Sequence, residues 1–113
     1  MSKPKVSVLM SVYNGERYLR KSIESILNQT FTDFEFIIID DGSTDSSSAI
    51  LASYRDRIHL IRNNQNLGLA KSLNKGLQLA RGQYIARMDA DDISLPERLY
   101  KQVRFLDENS SVT

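Results

Sequence analysis

The 113 residues, 41% of them hydrophobic and with only 5 Gly and 2 Pro, have the composition of one folded domain around one core rather than of a disordered chain. Lys and Arg number 15 against 14 Asp and Glu, so the formal net charge of +1 creates no global field toward nucleic acid or an anionic membrane, and recognition of an anion must be local. The absence of cysteine and the single histidine, His59, exclude disulfides, thiolate chemistry, cysteine zinc sites and a histidine metal cage. Carboxylates remain as metal ligands, and they favour hard ions such as Mg²⁺ or Mn²⁺.

Lys3 and Lys5 before the apolar run Val6–Val12 faintly resemble a signal peptide. Ser7 and Ser11 interrupt that run, no small-residue cleavage site follows it, and its valines suit a buried strand. No stretch approaches the roughly 18 apolar residues of a membrane helix, so the expected location is cytoplasmic. The first helix carries Tyr18, Leu19, Ile23, Ile26 and Leu27 on its dry face and Arg17, Arg20, Lys21 and Glu24 on its wet one, ending near Asn28. A second strand spans Phe34–Asp40. The next helix starts around Ser43-Thr44-Asp45, where Ser43 or Asp45 caps it, and turns Ile50, Leu51 and Tyr54 inward. The third strand, Ile58–Arg62, is short and polar and therefore nearest a sheet edge; Arg62 to Asn66 reads as a connecting loop. A third helix from about Leu69 to Ala80 places Leu69, Leu73, Leu77 and Ala80 in register, with Gly82 closing it. After a fourth strand, Tyr84–Met88, Ser94, Pro96 and Glu97 predict a capping box for a helix that carries Leu99, Val103 and Leu106.

Strands alternating with helices predict an α/β domain with a mainly parallel sheet flanked by helices, its apolar strands covered on both faces. In such sheets ligands bind outside the carboxyl ends of the strands. The first strand ends there in Ser11-Val12-Tyr13-Asn14-Gly15, the second in Asp40-Asp41-Gly42-Ser43 and the fourth in Asp89-Ala90-Asp91-Asp92. Five aspartates at two strand ends repel one another unless a cation or hydrogen-bond donors compensate them. A divalent metal shared with a diphosphate would do so, because Mg²⁺ typically takes one or two carboxylates and completes its shell with phosphate oxygens and water.

The ordered set Val6-Ser7-Val8 to Tyr13-Asn14, Ser25-Ile26-Leu27-Asn28-Gln29-Thr30-Phe31, Ile39-Asp40-Asp41-Gly42-Ser43-Thr44-Asp45, Asn66-Leu67-Gly68 and Gly82-Gln83-Tyr84-Ile85-Ala86 leading into Asp89-Ala90-Asp91-Asp92 resembles glycosyltransferase family 2. Each motif is weak by itself; their order over Val6 to about Arg98 is specific. The resemblance implies a Rossmann-like GT-A fold, with residues 1–113 as its nucleotide-sugar-binding portion. It implies that Tyr13 stacks on the nucleobase with Ser11 beside it, that Asp41 hydrogen-bonds the base edge, that Asp89 meets the ribose and sugar, and that Asp91 ligates Mn²⁺ or Mg²⁺. The implied reaction is inverting transfer of a sugar from a nucleotide-diphosphate donor, UDP in most members, to a saccharide or lipid-linked acceptor in cell-surface polysaccharide synthesis. It is compatible with peripheral membrane association of a full-length protein.

The family's catalytic base lies in a later segment, and nothing in this chain matches it, so the base is expected beyond Thr113. Asp107-Glu108 reads as a solvated helix end. An α/β unit this regular would continue into further strands, so the chain reads as truncated after the helix that follows Asp-x-Asp. A donor-binding module without turnover is the alternative. On position alone, Tyr13 is as readily an aromatic covering the core edge as a stacking platform, and Asp40-Asp41-Gly42-Ser43 could be only a turn with a cap. Asp40 is assigned to structure, Asp92 to the loop, Lys71 to the surface, and His59 to no role. A receiver domain would place its acidic pair after the first strand, and a dinucleotide dehydrogenase would carry Gly-x-Gly-x-x-Gly there; neither is present.

Overall fold

The computed structural model describes residues 3–109; the domain span 1–113 assigned from sequence therefore includes terminal residues outside those described. The apolar runs form β1 (Val6–Val12), β2 (Phe34–Asp40), β3 (His59–Arg62) and β4 (Tyr84–Asp89), alternating with α1 (Leu19–Leu27), α2 (Ser47–Ala52), α3 (Leu69–Leu79) and α4 (Arg98–Glu108). All pairings are parallel, in the order β3-β2-β1-β4. The mainly apolar strands β1 and β2 are buried on both faces because these are the two central strands.

One face of the sheet packs Val6, Val8, Met10, Val12, Phe36 and Ile38 against α1, α2 and α4 through Leu19, Ile23, Ile26, Leu51, Leu99 and Val103. The other sets Leu9, Ile37 and Ile39 against Leu73 of α3. β3 is an edge strand, as its polarity predicts. Among the described residues β4 is the other edge and only one of its faces is covered, in contrast to the expectation of cover on both: Ala86 and Met88 are buried whereas Ile85 is 44% exposed. Helix α3 lies over β1 and β2.

The α3 stripe is corrected in part. Leu73 and Ala80 pack against the sheet, but Leu69 and Leu77 are about half exposed, and the buried residues of the helix are Ser72 and Gly76. A Cβ on Gly76 would stand 3.0 Å from Ile39 Cδ1 and 3.4 Å from Leu9 Cδ2, so small residues let the helix close onto the strands. Gly82 does not close α3 in a left-handed conformation. It passes so near β1 that a Cβ would lie 2.4 Å from the Ser7 nitrogen. That approach is held by the Gly82 amide donating to Ser7 Oγ and by the Arg81 amide donating to buried Glu35.

The capping box before α4 does not form, because Glu97 is itself the N-cap and its side chain makes no cap bond. Gln29, 5% exposed at the end of α1, performs that task from a distance: its Oε1 accepts the Leu99 amide at 2.9 Å, and its Nε2 donates to the Leu95 carbonyl at 2.7 Å. Helix α2 starts later than predicted, at Ser47, whose amide donates to Asp45 Oδ1 at 2.8 Å. Asp107 is not simply solvated. It accepts from the Tyr84 hydroxyl at 2.6 Å and pairs with Lys5 at 3.0 Å, fastening α4 to the sheet edge, and the Tyr84 and Lys5 donors hold its carboxyl below the usual carboxylate range.

Candidate functional site at the carboxyl ends of the strands

Parallel pairing brings the ends of β1, β2 and β4 level. In register, Ser11 of β1 lies between Ile39 of β2 and Asp89 of β4. Tyr13 stands directly after the last residue of β1, Val12, and is 51% exposed. It lines a crevice with Asn14, Gly15, Arg17, Tyr18, Ala90 and Asp91, so the aromatic and one carboxylate of the Asp-x-Asp sequence face the same space. Asp89, Asp91 and Asp92 are all exposed, and each offers an oxygen within 4.8 Å of the others.

The loop carrying these carboxylates is fixed from behind. Ser22, fully buried on α1, has its hydroxyl within hydrogen-bond distance of the Ala90 and Asp92 carbonyls, and Ser25 Oγ accepts the Ser94 amide at 3.0 Å. Asp92 closes the turn: its Oδ2 accepts the Asp89 amide at 2.9 Å, and its own amide donates to the Asp89 carbonyl at 3.0 Å. Asp92 thus serves the loop, while Asp91 is turned to the crevice.

Tyr13 is held by its neighbour. Asn14 adopts a left-handed backbone with φ of 51°, a conformation Asn tolerates better than most residues. Its Oδ1 accepts the amides of Thr44 at 2.8 Å and Asp45 at 3.2 Å, and its own amide donates to Ser43 Oγ at 3.0 Å. The Gly15 amide donates to Ser47 Oγ at 2.9 Å, so the loop after β1 is stitched to the loop after β2.

Asp40 is structural, as assigned: 2% exposed, it accepts the Ser43 amide at 3.0 Å and the Ser48 hydroxyl. Asp41 is not the free carboxylate its position suggested. It is also 2% exposed, and Oδ1 accepts from Asn63 Nδ2 and the Leu67 amide, each at 2.8 Å, while Oδ2 accepts the Gly68 amide at 3.0 Å. Burial by itself would raise its pKa, but the Leu67 amide, Asn63, the Gly68 amide and Ser72 outweigh it and hold the carboxyl below its ordinary value. A carboxylate whose folded pKa is depressed contributes stability above its unfolded pKa of about 3.9, and that contribution is lost as pH falls through the folded value. Asp41→Asn is therefore expected to cost about 2 kcal/mol at neutral pH, with the gap to wild type closing below about pH 4 in denaturation series.

Asn63 is the residue that sequence reasoning missed when it read Arg62 to Asn66 as a connection. It is 2% exposed and directly follows β3. The signal that could have found it is position: a polar side chain at the carboxyl end of a parallel strand, one residue past Arg62, which pairs with Asp40. Lys71, by contrast, is exposed as expected, and His59 stands on the surface at 4.0 Å from Glu35, at the opposite end of the sheet.

With this geometry in place, comparison with known proteins decides the family. The family model described as glycosyl transferase family 2 matches residues 7–113. The chain belongs to glycosyl transferase family 2. Among curated family members, the putative glycosyltransferase EpsE of Bacillus subtilis is 54% identical over 112 residues, which are 96% of this chain and 40% of that protein. Among solved structures, residues 1–349 of S. aureus TarS superpose with a TM-score of 0.86 at 32% identity, covering 94% of this chain and 33% of that one. TarS has also been crystallised with UDP and with UDP-GlcNAc. The mannosyltransferase PcManGT of Pyrobaculum calidifontis shares the fold, with a TM-score of 0.84 at 23% identity over 94% of this chain and 33% of its own. The family 2 chain thus has the GT-A arrangement and spans a third to two fifths of the length of these relatives.

Proposed function

We propose that this family 2 chain binds the nucleotide half of a sugar nucleotide as the donor portion of an inverting glycosyltransferase, acting in cell-surface polysaccharide synthesis. The observation that carries the reading is the crevice shared by Tyr13 and Asp91, set beside the Ser11–Asp89 pair. An aromatic face suits a base, and exposed carboxylates a few ångströms away suit a cation carrying a diphosphate. In this reading Tyr13 stacks on the base with Ser11 alongside, Asp41 and the loop it organises set the base edge, and Asp89 accepts from ribose and sugar hydroxyls.

The donor set fits a hard divalent ion: three carboxylates can converge, and Asp91 is not consumed by the turn. Asp91, with Asp89 adjacent, would hold Mn²⁺ or Mg²⁺, which when bound supplies Lewis acidity toward a diphosphate leaving group. Arg17, whose guanidinium lies 5.2 Å from the Tyr18 ring centroid in the same crevice, adds a positive charge for an anionic ligand. The complexes of TarS, 32% identical over this region, support a UDP-sugar as the donor class. The acceptor is a saccharide or lipid-linked saccharide, and the base that activates its hydroxyl belongs to the remainder of the enzyme.

Calorimetric titration of UDP and GDP with and without Mn²⁺ tests the reading. Tyr13→Ala is expected to weaken nucleotide binding by about 1 to 3 kcal/mol, the usual loss of an aromatic stack on a base. Unchanged affinity for both nucleotides in that variant would remove the stacking role.

A further inference from the structure

The charged and polar groups behind Asp41 form one chain of contacts. Asn63 Nδ2 donates to Asp41 Oδ1 at 2.8 Å and to Ser72 Oγ at 3.0 Å, while its Oδ1 accepts from Lys75 Nζ at 2.6 Å. Lys75 has only donors to offer, so it fixes which end of the Asn63 amide faces it. The amide end is thereby committed to Asp41 and Ser72. Asp41 in turn takes the Leu67 and Gly68 amides, and Gly68, at φ of 96°, begins α3. One lysine on the half-buried side of α3 is thus linked, through the buried side chains of Asn63 and Asp41, to the Leu67–Gly68 backbone. The Asp41 amide completes the link by donating to the Val12 carbonyl at 2.7 Å, one residue before Tyr13.

We propose that Lys75 and Asn63 are positioning residues for nucleobase recognition: they orient Asp41 and hold the loop after β3 against it, at the end of the strand that pairs with the one leading into Tyr13. The proposal rests on the donor-binding reading above. Its distinguishing consequence is selectivity. The network joins the strand that leads into Tyr13 through the Asp41 amide on the Val12 carbonyl, and among the described residues it makes no hydrogen bond to Asp89, Asp91 or Asp92, so its loss is expected to fall on the nucleoside and spare the diphosphate and metal.

The test is titration of UDP and of inorganic pyrophosphate, both with Mn²⁺, against the full chain and its Lys75→Met, Lys75→Arg and Asn63→Ala variants. Lys75→Met is expected to raise the UDP Kd by about fivefold to tenfold, as loss of a charged hydrogen bond would. Pyrophosphate binding is expected to stay within about twofold, and Lys75→Arg to restore most of the UDP affinity because it keeps a donor at Asn63. Amide hydrogen exchange at Leu67 and Gly68 is expected to accelerate in Lys75→Met. That measurement stands in for Asn63→Ala should the loss of a buried amide prevent folding. UDP and pyrophosphate weakened alike, or UDP unchanged in Lys75→Met with Leu67 and Gly68 still protected, would overturn the positioning role while leaving donor binding intact. A wild-type chain that binds no nucleoside diphosphate would overturn both.

Discussion

Asp91→Asn is expected to weaken UDP binding by about 10- to 100-fold in the presence of Mn²⁺ or Mg²⁺ and to leave metal-free binding unchanged. The magnitude is what loss of groups around a bound metal ordinarily costs, and the amide that replaces the carboxylate is a neutral, poorer ligand for a hard ion. The geometry isolates the effect. Asp92 closes the turn through its contacts with Asp89, and Ser22 and Ser25 hold the loop from α1, so the loop keeps its shape when Asp91 is neutralised. Three exposed carboxylates within 4.8 Å of one another also repel, so the ligand-free variant is expected to be no less stable than wild type and slightly more stable at low salt. Calorimetry with and without metal, paired with thermal unfolding of the ligand-free protein, checks both halves. Reduced ligand-free stability with metal-dependent binding intact would make Asp91 a turn residue instead of a ligand.

Gly42→Ala is expected to destabilise the domain by about 3 kcal/mol or more, enough to move the denaturant midpoint well outside error. Gly42 has φ of 74°, and a Cβ there would lie 2.6 Å from the Gln65 carbonyl carbon and 2.7 Å from the Asn66 nitrogen. Both are backbone atoms of the loop that Asp41 organises, so relief requires that loop to move away from the carboxylate. The variant therefore strains the backbone at 42 and loosens the Leu67 and Gly68 bonds to Asp41 together. Loss of UDP affinity at temperatures where the variant remains folded is the accompanying expectation, measured by the same titration.

The sequence by itself determined the strands, their order along the chain and the end of the sheet that carries the chemistry. Apolar residues on successive positions, Val8-Leu9-Met10 and Ile37-Ile38-Ile39, suit a strand covered on both faces, and the acidic clusters stand where such strands stop. The Asp40 and Asp92 assignments to structure and loop were legible for a related reason, since short acidic side chains beside glycine or a turn find nearby amides.

What only the tertiary structure decided are the relations between segments distant in sequence. Helical periodicity marks Leu69 and Leu77 as readily as Leu73, but closeness to β1 and β2 selects the small Ser72 and Gly76, because what must fit there is Leu9 and Ile39. The local capping signal Ser94-Leu95-Pro96-Glu97 lost to Gln29, whose amide group reaches both Leu95 and Leu99 from another helix. Asp41 and Asn63 lie 22 positions apart, and nothing in either neighbourhood shows that one buries the other's charge. Tyr13 and Asp91 share a crevice because β1 and β4 pair in parallel, with Ser11 opposite Asp89. Periodicity and turn chemistry are written into neighbouring residues, whereas the pairing that makes a site out of them arises from the whole core closing at once.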